Sequence, residues 1–531
     1  MIVAVIPAKE ESRRLTYKNL AKIGGKSLVA HAVEYARKAS KIDRIIVSTD
    51  DVAIEAHVRA LGVETLRRGV ELGGETPLMD VYRHALNHMA LDGVTHIVGI
   101  QPDHPDRTTD LDDAIVYILE KCIDDLVTVD RNGVRNGALR ILSRRALEAQ
   151  PPIYPSAIMD DCTNIHTPFD FHMAAFNMAS EKDPVYVGEQ KIGTNEPVFI
   201  IAEAACNHMC DMKMARKMID KAAEAGANAI KFQTYTAEKL VTKDAKAFWG
   251  QDKISQLEYY KRLDRFGKKE YQALFEYADH KGIVPFSSPF DAENVDMLAD
   301  LGMKIFKIAS CDICNLSLVE HIAKYKKPII LSTGASTLEE IEQALLTIFK
   351  MGNYQVFLLA CTLSYPTKNE EANLMRIRTL KEHFHNMIIG LSDHTEPDPN
   401  MIIPSVAVSL GAKVIEKHYT LDRTMTGSGH FFAADPGDLK KMVENIRLTE
   451  AVLGAGKLGV ASSEISAWKN ARRGLVAEVP ILKGTPISSE MVGVKRPAAG
   501  MCPSKIDEVI GKRAALDIQA DEPITPEKLT N

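Results

Sequence analysis

The chain holds 531 residues, 45% of them hydrophobic and 26% charged, with a formal net charge of −6. That length exceeds what one hydrophobic core sustains, so two or three domains are expected, with the composition of an ordinary globular protein. A chain with net negative charge is not a general polyanion binder. Nucleic acid is therefore set aside, and any phosphate site must be a local cluster of Lys and Arg.

Met1 to Ala8 is apolar but short, and Lys9-Glu10-Glu11 follows at once, so it reads as a first strand and not a signal peptide. No apolar run approaches membrane-spanning length. The eight cysteines are scattered without a framework, which suits a reducing cytoplasm. Up to Ala179 strands alternate with amphipathic helices. "IVAVIPA", "RIIVSTDD" and "HIVGIQP" read as strands; "SLVAHAVEYARKAS" and "LMDVYRHALNHMA" read as helices. This predicts a Rossmann-like α/β domain over 1–180, with ligands at the C-terminal ends of its strands. Lys9, Ser12, Arg13, Arg14 and Lys18 after the first strand suit a triphosphate. "GGKS" is not a P-loop, because its first glycine position is Leu20 and no strand leads straight into it. Ser180 to Pro197 is charged and carries Pro and Gly, which places a linker at 181–196.

From Val198 the pattern becomes regular. Eight strand candidates follow: "VFIIAEA", "NAIKFQT", "IVPFSSP", "KIFKIAS", "PIILSTG", "VFLLACT", "MIIGLSD" and "KVIEKHYT". Helical stretches separate them, many ending in Gly, and the series predicts a TIM (β/α)₈ barrel over 197–460. In such a barrel the active site lies at the C-terminal strand ends. His394 and His418 end the seventh and eighth strands, neighbours in a closed barrel, so both imidazoles can face one mouth. Two histidines completed by water and substrate oxygens suit Mn²⁺ or Mg²⁺ better than Zn²⁺. The other strand ends offer Glu203, Asn207, His208, Lys231, Gln233, Ser287, Ser288, Lys307, Ser310, Asp312, Ser332, Thr333, Thr362, Ser364, Tyr365 and Ser392. A lysine inside a strand is costly unless it meets an anion, so two of them among hydroxyls describe a site for a small phosphorylated carboxylate. Cys311-x-x-Cys314 and Cys206-x-x-x-Cys210 would allow a zinc reading, but both sit among these better-explained residues. Beyond the barrel, "ILKGTPISSEMV" and "IQADEPITPEKL" repeat one pattern, which predicts a small, mostly β module over 461–531.

"IAEAACNH", "IKFQT", "SSPFD", "FKIASCD", "ILSTGAS", "CTLSYPT", "IIGLSDHT", "IEKHYT" and, in the terminal module, "VKRP" together resemble the sialic acid (nonulosonic acid) synthase family. The resemblance runs from Val198 to the C-terminus, and the last module is similar to that family's antifreeze-like (SAF, β-clip) domain. It implies condensation of phosphoenolpyruvate with the open-chain aldehyde of an N-acylated mannosamine-type sugar, with release of phosphate. Carried over, Lys231, Lys307, Ser310, Ser332 and Ser392, helped by Gln233 and Ser288, would hold phosphoenolpyruvate. Tyr365 would line the substrate site, and His394 and His418 would hold the metal. Glu203 and Asp312 would stabilise a cation at C2 and position water. Arg496 would reach the sugar's acyl group across a domain-swapped homodimer. Three positions depart from the family pattern. Asp312 stands for a Glu, Leu363 for an Asn, and Gly429-His430 for an acidic residue; the last two imply an unusual acceptor.

"KNL", "IVSTDD" and "QPDHPDR" resemble the CMP-sialic acid synthetase family and its nucleotidyltransferase relatives. This resemblance implies CTP as a substrate, held by Lys9, Ser12, Arg13, Lys18, Asn19 and Gln101. Two metal-binding aspartates of that family fall on Asn164 and His166 here, so the readings left open are a bifunctional enzyme, a synthase with a degenerate nucleotide-binding front domain, and a non-catalytic nucleotide sensor.

Overall fold

The computed structural model describes every residue except 10–14, 16, 70–71, 73–75, 90–92, 150–151, 180–183, 248–253 and 531. The expected roles of Ser12 and Arg13, and the loop position of Arg14, lie outside the described residues.

The front domain is built on strands Ile2–Ala8 (β1), Arg44–Thr49 (β2), Glu64–Arg67 (β3), His96–Ile100 (β4), Asp125–Val129 (β5), Arg135–Ser143 (β6) and Ser156–Met159 (β7). They form one seven-stranded sheet in the order β3-β2-β1-β4-β6-β5-β7. β3, β2, β1 and β4 run parallel, as their helix connections require, whereas β6 is antiparallel to both β4 and β5. Apolar residues pack on both faces, with Ile6, Val47 and Ile100 on one side and Val5, Ile46 and Ile97 on the other. The crossover helices start on side-chain caps: Ser27 accepts from the Ala30 amide and Asp51 from that of Ile54.

The stretch expected to be a linker carries structure. Val185–Val187 (β8) and Gln190–Ile192 (β9) form an antiparallel hairpin, and its Val187 and Ile192 are buried in the core of the barrel. The helix Pro168–Ala179 also packs there: Met173 and Phe176 join that core, and the Phe176 ring lies 5.7 Å from that of Phe349.

The barrel strands are Phe199–Ala205 (β10), Ala229–Thr234 (β11), Val284–Pro289 (β12), Phe306–Ile308 (β13), Ile329–Ser332 (β14), Val356–Cys361 (β15), Ile388–Asp393 (β16) and Val414–His418 (β17). All pairs are parallel, in the order β12-β11-β10-β17-β16-β15-β14-β13. The ring is nearly closed: among the described residues β12 and β13 share no ladder. Most strand residues are buried, because the interior covers one face and helices the other. Gly390 on β16 is required by close packing, since a Cβ there would lie 2.3 Å from the Val414 carbonyl oxygen. The helix Leu338–Lys350 opens on a full capping box of Thr337 and Glu340.

Leu453–Asn531 forms a separate compact unit, beginning before the boundary expected at 461. Within it Gly474–Ala477 (β18) pairs with Val492–Lys495 (β19), and Arg513–Ala514 pairs with Leu529–Thr530. The two repeat copies meet at equivalent points: Ile481 and Ile518 exchange backbone hydrogen bonds of 2.8 Å. Among the described residues no helix is long and apolar enough to cross a membrane.

Candidate active site

Strand register decides which side chains enter the barrel mouth. Glu203 on β10 is level with Lys231 on β11 and with His418 on β17. Gln233 is level with Ser288, and Ser392 with Glu416. Residues two apart on a strand share a face, so Lys231 and Gln233 project together, as do Glu416 and His418.

The result is a buried cluster of two lysines and two glutamates. Lys231 Nζ lies 2.7 Å from Glu203 Oε2 and 3.7 Å from Glu416 Oε2, and it donates to Ser288 Oγ at 3.1 Å. Gln233 Nε2 donates to Glu203 Oε1 at 2.9 Å, and Ser392 Oγ to Glu416 Oε1 at 2.8 Å. Lys307 Nζ stands 3.8 Å from Glu416 Oε1. Burial pushes the Glu203 pKa above the usual carboxylate range despite Lys231, whereas Lys231 and Lys307 together overcome burial at Glu416 and hold it below that range. Burial likewise lowers Lys307, while the carboxylates around Lys231 raise it.

Further along the mouth, Ser310 Oγ accepts from the Gly334 amide at 2.9 Å, and a Cβ on Gly334 would meet that same oxygen at 2.9 Å. Ser332 Oγ is buried with no hydrogen-bond partner among the described residues. Asp312 sits in the turn after β13, with burial raising its pKa.

The rings of His394 and His418 are 5.2 Å apart, centre to centre. Tyr365 lies 4.4 Å from the His394 ring, and Phe432 4.9 Å from the His418 ring. His394 Nδ1 is 2.9 Å from the Thr362 carbonyl oxygen, which assigns the proton to Nδ1 and leaves Nε2 with its lone pair. His418 Nδ1 is buried with no hydrogen-bond partner among the described residues. Burial holds the His418 pKa far below its usual value, so the ring stays neutral. Two inward imidazoles, one of them already oriented by a carbonyl, fit a divalent cation with open positions for oxygen ligands. Among the described residues no third His, Cys, Asp or Glu joins them in a ligand cluster.

Asn207 stands among the expected strand-end residues, whereas Glu416 does not. Asn207 Nδ2 donates to the Tyr419 carbonyl, which ties the first strand end to the last. Glu416 was legible: it shares the parity of His418 in "IEKH". A cavity of about 840 Å³ lies at the opposite, N-terminal end of the strands, lined by Phe176, Tyr354, Lys381 and Lys413 among others, away from this chemistry.

In the front domain Lys18 Nζ is already engaged, at 2.8 Å from Asp103 Oδ2 and donating to the Ile165 carbonyl at 2.9 Å. Asp103 Oδ1 lies 2.9 Å from His104 Nδ1, and these two partners overcome burial to hold Asp103 well below the carboxylate range. Asn19 Nδ2 donates to the Lys9 carbonyl, and Gln101 Nε2 to that of Gly137, so both shape the loop through backbone contacts. Asn164 Oδ1 is buried with no hydrogen-bond partner among the described residues, and His166 is exposed. Arg496 is exposed on the C-terminal unit.

Residues 218–458 match the model of the NeuB family. The N,N'-diacetyllegionaminic acid synthase of Legionella pneumophila is 35% identical over 338 residues, which span 62% of this chain and 93% of that protein. The chain belongs to the NeuB family. Around the NeuB barrel, residues 3–137 match a cytidylyltransferase model and residues 472–530 the SAF domain. The N,N'-diacetyllegionaminic acid synthase of Campylobacter jejuni is 40% identical over 330 residues, 61% of this chain and 97% of that protein. Human N-acetylneuraminate-9-phosphate synthase is 32% identical over 348 residues, 64% of this chain and 95% of that protein. The crystal structure of a spore coat polysaccharide biosynthesis protein E from Chromobacterium violaceum superposes on 63% of this chain and 100% of its own, with TM-score 0.54 and 27% identity. The NeuB-family barrel, the cytidylyltransferase domain before it and the SAF domain after it are thus one enzyme chain.

Proposed function

We propose that this NeuB-family enzyme condenses phosphoenolpyruvate with an N-acylated mannosamine-type amino sugar to give a nonulosonic acid and phosphate. The observation that carries this reading is the buried Lys231–Glu203–Glu416–Lys307 cluster beside the His394–His418 pair. Lysines held charged inside a barrel need an anion, and phosphoenolpyruvate supplies a phosphate and a carboxylate. Lys231, Lys307, Ser392 and the partnerless Ser332 hydroxyl would hold it, with Ser310, Gln233 and Ser288 around them and Tyr365 closing the side near the histidines. His394 and His418 would hold Mn²⁺ or Mg²⁺, which when bound supplies Lewis-acid polarisation of the acceptor aldehyde.

C3 of phosphoenolpyruvate bonds to the aldehyde carbon, water adds at C2, and phosphate leaves with the bridging oxygen. Glu203 and Asp312, both above the usual carboxylate range through burial, suit the positioning of that water and the uptake of its proton. Their negative charge would stabilise the cation that develops at C2. Leu363 and His430, standing where the family pattern is polar or acidic, favour an acceptor other than N-acetylmannosamine. Arg496 would meet the acyl group from the partner subunit of a domain-swapped homodimer.

For the front domain we propose nucleotide binding with slow cytidylyl transfer. The supporting observation is that Lys18 is occupied by Asp103, while Asn164 and His166 offer no carboxylate to a metal. Phosphate release from phosphoenolpyruvate, measured over a panel of amino sugars with and without CTP, tests both halves. Release with at least one sugar supports the synthase, and a CMP-linked product formed rapidly with CTP overturns the degenerate reading of the front domain.

A further inference from the structure

Glu416 belongs to the buried cluster but takes no part in the reaction steps above, yet it meets Ser392, Lys231 and Lys307 at the anion site. It lies two residues before His418 on β17, so strand alternation turns both inward. Its Oε1 accepts from Ser392 Oγ at 2.8 Å and stands 3.8 Å from Lys307 Nζ. Its Oε2 stands 3.7 Å from Lys231 Nζ. Lys231 has a closer carboxylate in Glu203 at 2.7 Å. Lys307 does not: among the described residues Glu416 is its one ion-pair partner, and its one hydrogen bond, at 3.4 Å, goes to the neighbouring Ile308 carbonyl.

We infer that Glu416 is a positioning residue of the phosphoenolpyruvate site, the counter-ion that keeps Lys307 charged and spaced from Lys231 until the substrate arrives. The inference rests on the reading of the mouth as that site. A buried ammonium beside a second ammonium sheds its proton unless an anion compensates. Burial and Lys231 act against the charge of Lys307; Glu416 is the largest influence in its favour, with Cys361 and Glu203 behind it. Asp312, Cys311 and His418 complete the titratable surroundings. Without the Glu416 charge, Lys307 reaches neutrality at a lower pH and stops serving as an anion ligand.

The test is phosphoenolpyruvate binding to the full chain by calorimetry, without acceptor, between pH 7 and pH 9, for wild type, E416Q and E416D. Wild type is expected to bind with little change over this range. E416Q should bind about tenfold more weakly at pH 7, the cost of one lost charge-assisted contact, and the loss should grow toward pH 9. E416D keeps the charge and should recover most of the affinity. In turnover the KM for phosphoenolpyruvate should rise while that for the sugar stays within about twofold. If E416Q fails to fold, the E416D profile carries the test: a flat pH dependence near wild type supports the inference. Equal affinity and equal pH slope in wild type and E416Q overturn it, as does a parallel loss for both substrates. A wild type that binds no phosphoenolpyruvate at any pH overturns instead the reading of the site, and this inference with it.

Discussion

Replacing Lys231 by methionine removes the cation at the centre of the cluster while keeping most of its volume. Glu203 then loses its ammonium at 2.7 Å, and Glu416 loses the one at 3.7 Å while keeping Lys307 at 3.8 Å. At an effective dielectric of about 20, the gross attraction across 2.7 Å is about 6 kcal/mol. Much of that is offset by desolvation, so the net cost of breaking such a buried pair is about 3–5 kcal/mol. For a domain of this size that lowers Tm by about 6–15 °C. The cost depends on pH. Glu203 already has a raised pKa, and without Lys231 it rises further. The folded variant then binds more protons than the unfolded chain, so its stability falls as pH rises from the unfolded carboxylate pKa toward the folded one. Calorimetric melting of Lys231→Met should therefore show a larger deficit at pH 8 than at pH 5.5. The double variant Lys231→Met/Glu203→Gln should recover part of it, because the stranded charge is gone. A Lys231→Met protein that melts within about 2 °C of wild type at pH 8 would refute the picture of a buried, mutually dependent cluster.

His418→Ala should abolish condensation while the melting profile stays cooperative, and EDTA should do the same to wild type until Mn²⁺ or Mg²⁺ is restored; full activity in chelator would exclude metal binding at this pair. Arg496→Ala should raise the KM for the sugar more than that for phosphoenolpyruvate, and mixing it with His394→Ala should restore some activity through mixed dimers, as steady-state rates after proven subunit exchange will show. In the front domain, Asp103→Asn frees Lys18 and should tighten CTP binding several-fold by calorimetry; unchanged affinity would mean that Lys18 does not meet phosphate. Cytidylyl transfer to N-acetylneuraminate by His394→Ala, whose barrel is disabled, should be slow or absent, and a rapid reaction would establish a second activity.

Much of the barrel is visible along the chain because parallel strands buried on both faces read as short apolar runs, from "VFIIAEA" to "KVIEKHYT". The histidines stand out because each ends such a run. Glu416 is harder to see: "IEKH" alternates charges that face opposite ways, Glu416 inward to Ser392 and Lys417 to Asp393 at 2.8 Å. Counting back two residues from His418 recovers it. The hairpin at 185–192 hides in a charged, Gly-containing stretch whose Val187 and Ile192 are too few to announce a strand. Lys18 and Asp103 are 85 residues apart, and nothing local says that the basic loop meets an internal carboxylate. The missing β12–β13 ladder likewise depends on how the ring closes.

The most direct test of the central claim is phosphate release from phosphoenolpyruvate by the full chain over a panel of N-acylated amino sugars, with the product identified by mass. Release should require a sugar, should fall at least about a hundredfold in Lys307→Ala through loss of a charged ligand to the substrate anion, and should yield a product heavier than the sugar by one pyruvate unit. Sugar-independent release, or release that survives Lys307→Ala unchanged, would contradict it.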